Sequence, residues 1–128
     1  MTDPTLTEPR VIPGDDALIA VPSGQAVTLM DVIWNAPGPL GLTARFRFLA
    51  PAIARSAPQV DFAMATADML HLCQTYALGR IAEFGPAPAQ VIISMSDMRV
   101  PFGEAAPDAT QFFEAYAIDG DACIWEVF

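Results

Sequence analysis

The stretch DFAMATADMLHLCQTYALGRIAEF, residues 61–84, decides how the chain is read, because it is the one long segment both free of proline and rich in helix formers. Apolar side chains recur at Phe62, Ala65, Met69, Leu72, Cys73, Tyr76, Ala77, Ile81 and Phe84. A spacing of three or four residues lays these on one stripe of a helix. Asp68, Gln74, Arg80 and Glu83 fall largely outside that stripe, so the spacing predicts one long, partly buried helix over about 61–84. Asp61 is placed to cap its start, where a carboxylate also meets the positive end of the helix dipole. Gly85 followed by Pro86 gives the stop.

Around this helix the chain reads as short strands. Leu42, Ala44, Phe46 and Phe48 alternate with Thr43, Arg45 and Arg47, which predicts a half-buried strand whose second face carries two guanidinium groups to solvent or to carboxylates. Val91, Ile93 and Met95 predict another. Upstream, 17–21 is a short apolar run ending at Pro22, which suits an edge strand. Residues 27–34 stay open between a strand, favoured by Val27, Val32 and Ile33, and a helical turn started by a Thr28–Asp31 capping box. Residues 1–16, rich in Thr, Asp, Glu and Pro, read as a flexible N-terminal arm, leaving 17–128 as a single domain. Residues 51–60 carry two prolines, leaving room for one turn over 52–56.

Asp119, Gly120 and Asp121 divide two apolar runs, a strong hairpin signal. A two-residue Asp119-Gly120 turn pairs Glu114 with Trp125. A three-residue loop instead pairs Ala115 with Trp125 and Ala117 with Cys123, and is preferred because it gathers Phe113, Ala115, Ala117, Cys123, Trp125 and Val127 against the helix. Phe112, Tyr116, Ile118, Ile124 and Phe128 then collect on the reverse face. A face open to water should alternate more cleanly than this; either the arm or loops cover it, or it is an interface. The fold class is α+β: one long helix on a mostly antiparallel sheet of four to five short strands ending in the C-terminal hairpin.

Charge acts mainly by exclusion. Fifteen acids face six arginines and no lysine, a formal charge of -9, and such a surface repels nucleic-acid phosphates. Only 16% of residues are charged while 53% are hydrophobic, against roughly 25% charged in ordinary globular chains. Much of the excess is alanine, which reads either as a composition bias or as an apolar surface made for a partner. Asp68, His71, Arg80 and Glu83 interrupt the best window for a transmembrane helix.

The sequence holds two cysteines and one histidine, too few and too scattered for a zinc site, and no cofactor motif. Cys73 on the apolar stripe and Cys123 in the hairpin can be read as a bridge or as two buried thiols, and compartment decides between them. His71 has Asp68 one helical turn away, so a carboxylate-oriented base is conceivable, with Arg47 or Asp97 as further members of a cleft. Cys73 points elsewhere, which spoils a local Cys–His pair.

VPSGQAVTL at 21–29, RFRFLAPAIAR at 45–55, ADMLHLC at 67–73, VIISMSD at 91–97 and ATQFFEAYAIDGDACIWEVF at 109–128 resemble a family of small, uncharacterised alphaproteobacterial proteins, most of them exported. The resemblance implies a periplasmic location and, with it, a Cys73–Cys123 disulfide. The chain as given opens without a basic, apolar leader, so a cytoplasmic location follows if none was trimmed. Some relatives carry an acetolactate synthase label, but a thiamine diphosphate enzyme needs hundreds of residues to build its cofactor sites. The reading is therefore a non-enzymatic interaction or accessory protein, periplasmic or envelope-associated, acting through self-association or a protein partner. The alternative is a small hydrolase or anionic-ligand-binding protein using His71, Asp68 and Arg47, with Arg45 and Arg47 as a further anion-binding pair.

Overall fold

A computed structural model of the chain describes residues 10–38, 41–54, 59–84 and 88–126. Six strands form one sheet in chain order: β1 (Arg10–Pro13), β2 (Thr28–Gly38), β3 (Gly41–Leu49), β4 (Gln90–Ser96), β5 (Gln111–Asp119) and β6 (Ala122–Glu126). Every neighbouring pair is antiparallel except β3 and β4. Parallel strands need a long crossover, and here the helix supplies it. It runs as α1 (Phe62–Leu72), a π-helical turn (Cys73–Ala77) and α2 (Leu78–Phe84).

The stretch at 27–34 resolves as strand from Thr28 onward. Thr28 pairs with Leu49 in β2–β3, and the Asp31 carboxylate meets Arg47 at 3.3 Å instead of closing a capping box. Arg47 accordingly takes the carboxylate option and is buried. The edge strand expected at 17–21 does not form; the pairing falls on Arg10–Pro13, inside the stretch read as an arm, whose residues 1–9 lie outside the described residues. Pro13 is tolerated there because β1 is an edge. Just beyond it Gly14 donates its N–H to the Met30 carbonyl at 2.9 Å. A Cβ on Gly14 would stand 2.0 Å from the Leu29 carbonyl oxygen, so glycine is what lets the chain press against β2.

The helix packs on the face made by Leu29, Val32 and Trp34 of β2, Phe46 and Phe48 of β3, and Val91, Ile93 and Met95 of β4. Ala65, Met69, Leu72, Cys73, Ala77 and Ile81 supply its side of the core. Tyr76 lays its ring edge-on to Phe46 and Phe48, at 6.4 and 5.8 Å between centroids. Asp61 caps α1 by accepting from the Met64 N–H at 2.8 Å. Two residues depart from the stripe: Phe62 is half exposed, and Asp68 is fully buried. The Asp68 side chain leaves the sheet-facing stripe but lies under the 23–25 loop.

Cys73, the first residue of the π turn, is bonded to Cys123 of β6. The bridge ties the middle of the helix to the last strand across a sequence separation of 50. Beside it Tyr116 of β5 is 1% exposed, and burial pushes its phenol well above the usual tyrosine range, with Glu114 adding repulsion. The folded state therefore holds this proton more tightly than the unfolded chain does. Above pH about 10 the unfolded chain ionises first and stability is expected to fall by up to about 1.4 kcal/mol per pH unit. Denaturant melts between pH 8 and 11 check this, and Tyr116→Phe should flatten the decline.

Candidate functional site

The hairpin turn sets the geometry of an exposed apolar region at the end of the sheet. Neither expected register forms. Tyr116 pairs with Trp125, Ile118 with Cys123 and Asp119 with Ala122, so the loop is Gly120-Asp121. Gly120 takes a positive φ of 59°, which a two-residue hairpin turn requires at its first position. One residue of slip exchanges the faces of a strand. Phe112, Glu114, Tyr116 and Ile118 thus stand on the helix side of β5, and Phe113, Ala115 and Ala117 on the reverse side.

The five residues expected to form one interface are therefore divided. Phe112 packs edge-on to Phe62 at 5.1 Å, Tyr116 is buried, and Ile118 lies against the core. Ile124 is on the reverse face and 48% exposed, and Phe128 lies outside the described residues.

Between α1 and the hairpin runs an open apolar groove of about 440 Å³. Phe62, Ala63, Ala67 and Leu70 form one wall, Tyr116 the floor and Trp125 the other wall. Small alanines on this side of α1 leave the depression, while Phe62, Leu70 and Trp125 stand at its rim, 52%, 39% and 56% exposed. Its one charge is Glu114, which accepts from the Trp125 indole N–H at 2.6 Å and so fixes the ring as a wall.

The groove continues onto a bare strand edge. β6 is last in the sheet, with β5 on one side and no strand on the other among the described residues. An edge strand presents unpaired backbone groups, and proteins blunt such edges with proline, lysine or bulges. β1, at the opposite edge, is short and ends at Pro13; β6, ACIWE, has neither proline nor lysine. Ile124 and Trp125 project from its two faces.

The residues of the alternative reading are not brought together. Both Asp68 oxygens are engaged by the loop above the helix: Oδ1 accepts from the Ser23 N–H at 2.9 Å, and Oδ2 from Ser23 Oγ at 2.5 Å and Gln25 Nε2 at 2.7 Å. His71 is half-buried, and its carbonyl accepts from Thr75 Oγ1 at 2.8 Å. Arg47 projects from the sheet face opposite the helix, so the sheet stands between it and that pair. Asp97 accepts from the Thr110 N–H at 2.8 Å. Among the described residues no group of three or more His, Cys, Asp or Glu side chains could hold a metal ion, and no helix is long and apolar enough to cross a membrane.

The Trp125–Glu114 contact joins residues that the two-residue Asp119-Gly120 turn sets opposite each other and that the preferred three-residue loop parts; in the observed register they are diagonal neighbours on one face. The signal for that register was Gly120-Asp121 read as a glycine-first turn. The Ser23–Gln25 cradle of Asp68 spans more than 40 residues of sequence and leaves no local pattern.

The model of a family of unknown function, DUF6497, matches residues 5–128. The chain belongs to that family. The matched residues include the helix, both cysteines and the whole hairpin, so the groove and its brace lie inside the family domain. No curated protein and no solved structure shows significant similarity to the chain.

Proposed function

We propose that this family member is a non-enzymatic interaction protein of the periplasm, a single α+β domain whose groove and β6 edge receive an extended, apolar segment of a partner protein. The observation that carries the reading is the unprotected edge strand lying directly beside the groove. A chain added to β6 would take up its free backbone groups, and alternate side chains would fall against Trp125 and into the groove. The disulfide supports an oxidising compartment and holds both walls of the groove in place before binding, which lowers the ordering cost of association.

Charge selects the partner. From Pro101 onward the sequence has no basic residue, and Glu114, Asp119, Asp121 and Glu126 surround the edge. A second acidic copy would be repelled there, whereas basic residues flanking an apolar core would be drawn in. Selection from a displayed peptide library against the oxidised protein tests this. The expected binders alternate apolar residues between lysines or arginines, and Trp125→Ala weakens them at least tenfold. Binders indifferent to Trp125→Ala would contradict the reading. A molecular mass that rises with concentration in light scattering, and stops rising in Ile124→Lys, would assign the edge to self-association instead.

A further inference from the structure

On the opposite side of the sheet, β3 projects Arg45 and Arg47 from the same face. After β4 the chain folds back over them. Arg47 donates to the Val100 carbonyl, and the Phe102 ring lies 5.9 and 5.7 Å from the Arg45 and Arg47 guanidinium carbons. Beneath this flap is a cavity of about 230 Å³, lined also by Ser94 of β4 and Gln111 of β5. It has room for about seven waters.

The two arginines are not equivalent. Arg47 is almost fully buried and satisfied by Asp31 and the Val100 carbonyl. Arg45 is half-buried, and among the described residues no carboxylate forms an ion pair with it. Burial and the neighbouring Arg47 charge both push its pKa down. In a chain with fifteen acids and six arginines, two guanidiniums share a cavity, and among the described residues one has no carboxylate at ion-pair distance. Glu104 stands in the lining without reaching ion-pair distance of either arginine.

We propose that this cavity binds a compact oxyanion, a phosphate or a short carboxylate, with Arg45 as the principal ligand and Arg47 as the fixed positive charge behind it. A guanidinium offers a planar pair of N–H donors matched to two oxygens of such a group. Ser94 and Gln111 supply the polar remainder, and Phe102 covers the site.

Thermal-shift and calorimetric titrations of the oxidised protein with inorganic phosphate and with succinate, at ionic strength matched by sodium chloride, test the site. Saturable binding of either probe is expected, weakened at least tenfold by Arg45→Gln and strengthened a few-fold by Glu104→Gln. Phosphate binding without succinate binding selects phosphate chemistry, and the converse selects carboxylates. Among the described residues Arg45 has no ion pair to lose, and its variant gives up only the exposed Phe102 ring contact, so it should melt within a few degrees of the parent without ligand. Shifts no larger than those of the salt control, or binding unchanged in Arg45→Gln, would overturn the proposal.

Discussion

Reduction of the Cys73–Cys123 bond is expected to lower the unfolding free energy by about 4 kcal/mol. The bond closes a separation of 50 residues, and the estimate is the chain entropy that the cross-link removes from the unfolded state. For a chain of this size the loss corresponds to roughly 10–20 °C in melting temperature. Both half-cystines are buried, so alanine replacements make a better control than serine, which would bury hydroxyls. The Cys73→Ala, Cys123→Ala double variant should melt near the reduced protein and ignore added reductant. Equal melts with and without reductant would mean that the bond does not constrain this chain. The bridge also joins the helix to the strand that carries Trp125, so the reduced protein should bind groove peptides more weakly than the oxidised one.

The second large effect is expected at Asp68. Its carboxylate has no exposed surface and accepts three hydrogen bonds, two from Ser23 and one from Gln25. Asp68→Ala removes the acceptor and leaves those donors facing a void. Hydrogen bonds to a charged group contribute about 1.5–3 kcal/mol, and unsatisfied donors add their own cost. A loss of about 3 kcal/mol or more in denaturant titration follows, with Asp68→Asn intermediate because its amide oxygen can still accept. Replacing the partly exposed His71 by alanine should change stability by less than about 0.5 kcal/mol. This contrast separates a structural carboxylate from a member of an acid–base pair: a pair would respond through activity at both positions, a brace through stability at Asp68 alone.

Much of the scaffold was legible because local pattern and packing agree. The helix carries its stripe, cap and stop in consecutive residues, β3 alternates apolar with polar residues from Leu42 to Phe48, and β4 is a short apolar run from Val91 to Ile93. What escaped was set by register or distance. The π turn at Cys73–Ala77 has no composition of its own. Asp68 falls outside the apolar stripe, and its burial is not legible locally because its partners lie in the 23–25 loop, far away in sequence. In the hairpin, Asp119-Gly120-Asp121 admits several turns, and a slip of one residue sent Tyr116 to the core and Phe113 to the surface. The groove follows from that register, so the sequence supplied its residues without supplying the site. Cys73 and Cys123 were left open by spacing and joined only through a resemblance to exported proteins, since compartment rather than pattern governs thiol pairing.

The most direct test is a nuclear magnetic resonance titration of the oxidised, isotope-labelled protein with an alternating apolar peptide flanked by lysines. Shifts concentrated in β6 and the first two turns of α1, with new protection of β6 amides from exchange, are the expected result. Shifts confined to other surfaces, or a β6 edge whose amides are already protected in the free protein, would contradict a docking role for the hairpin.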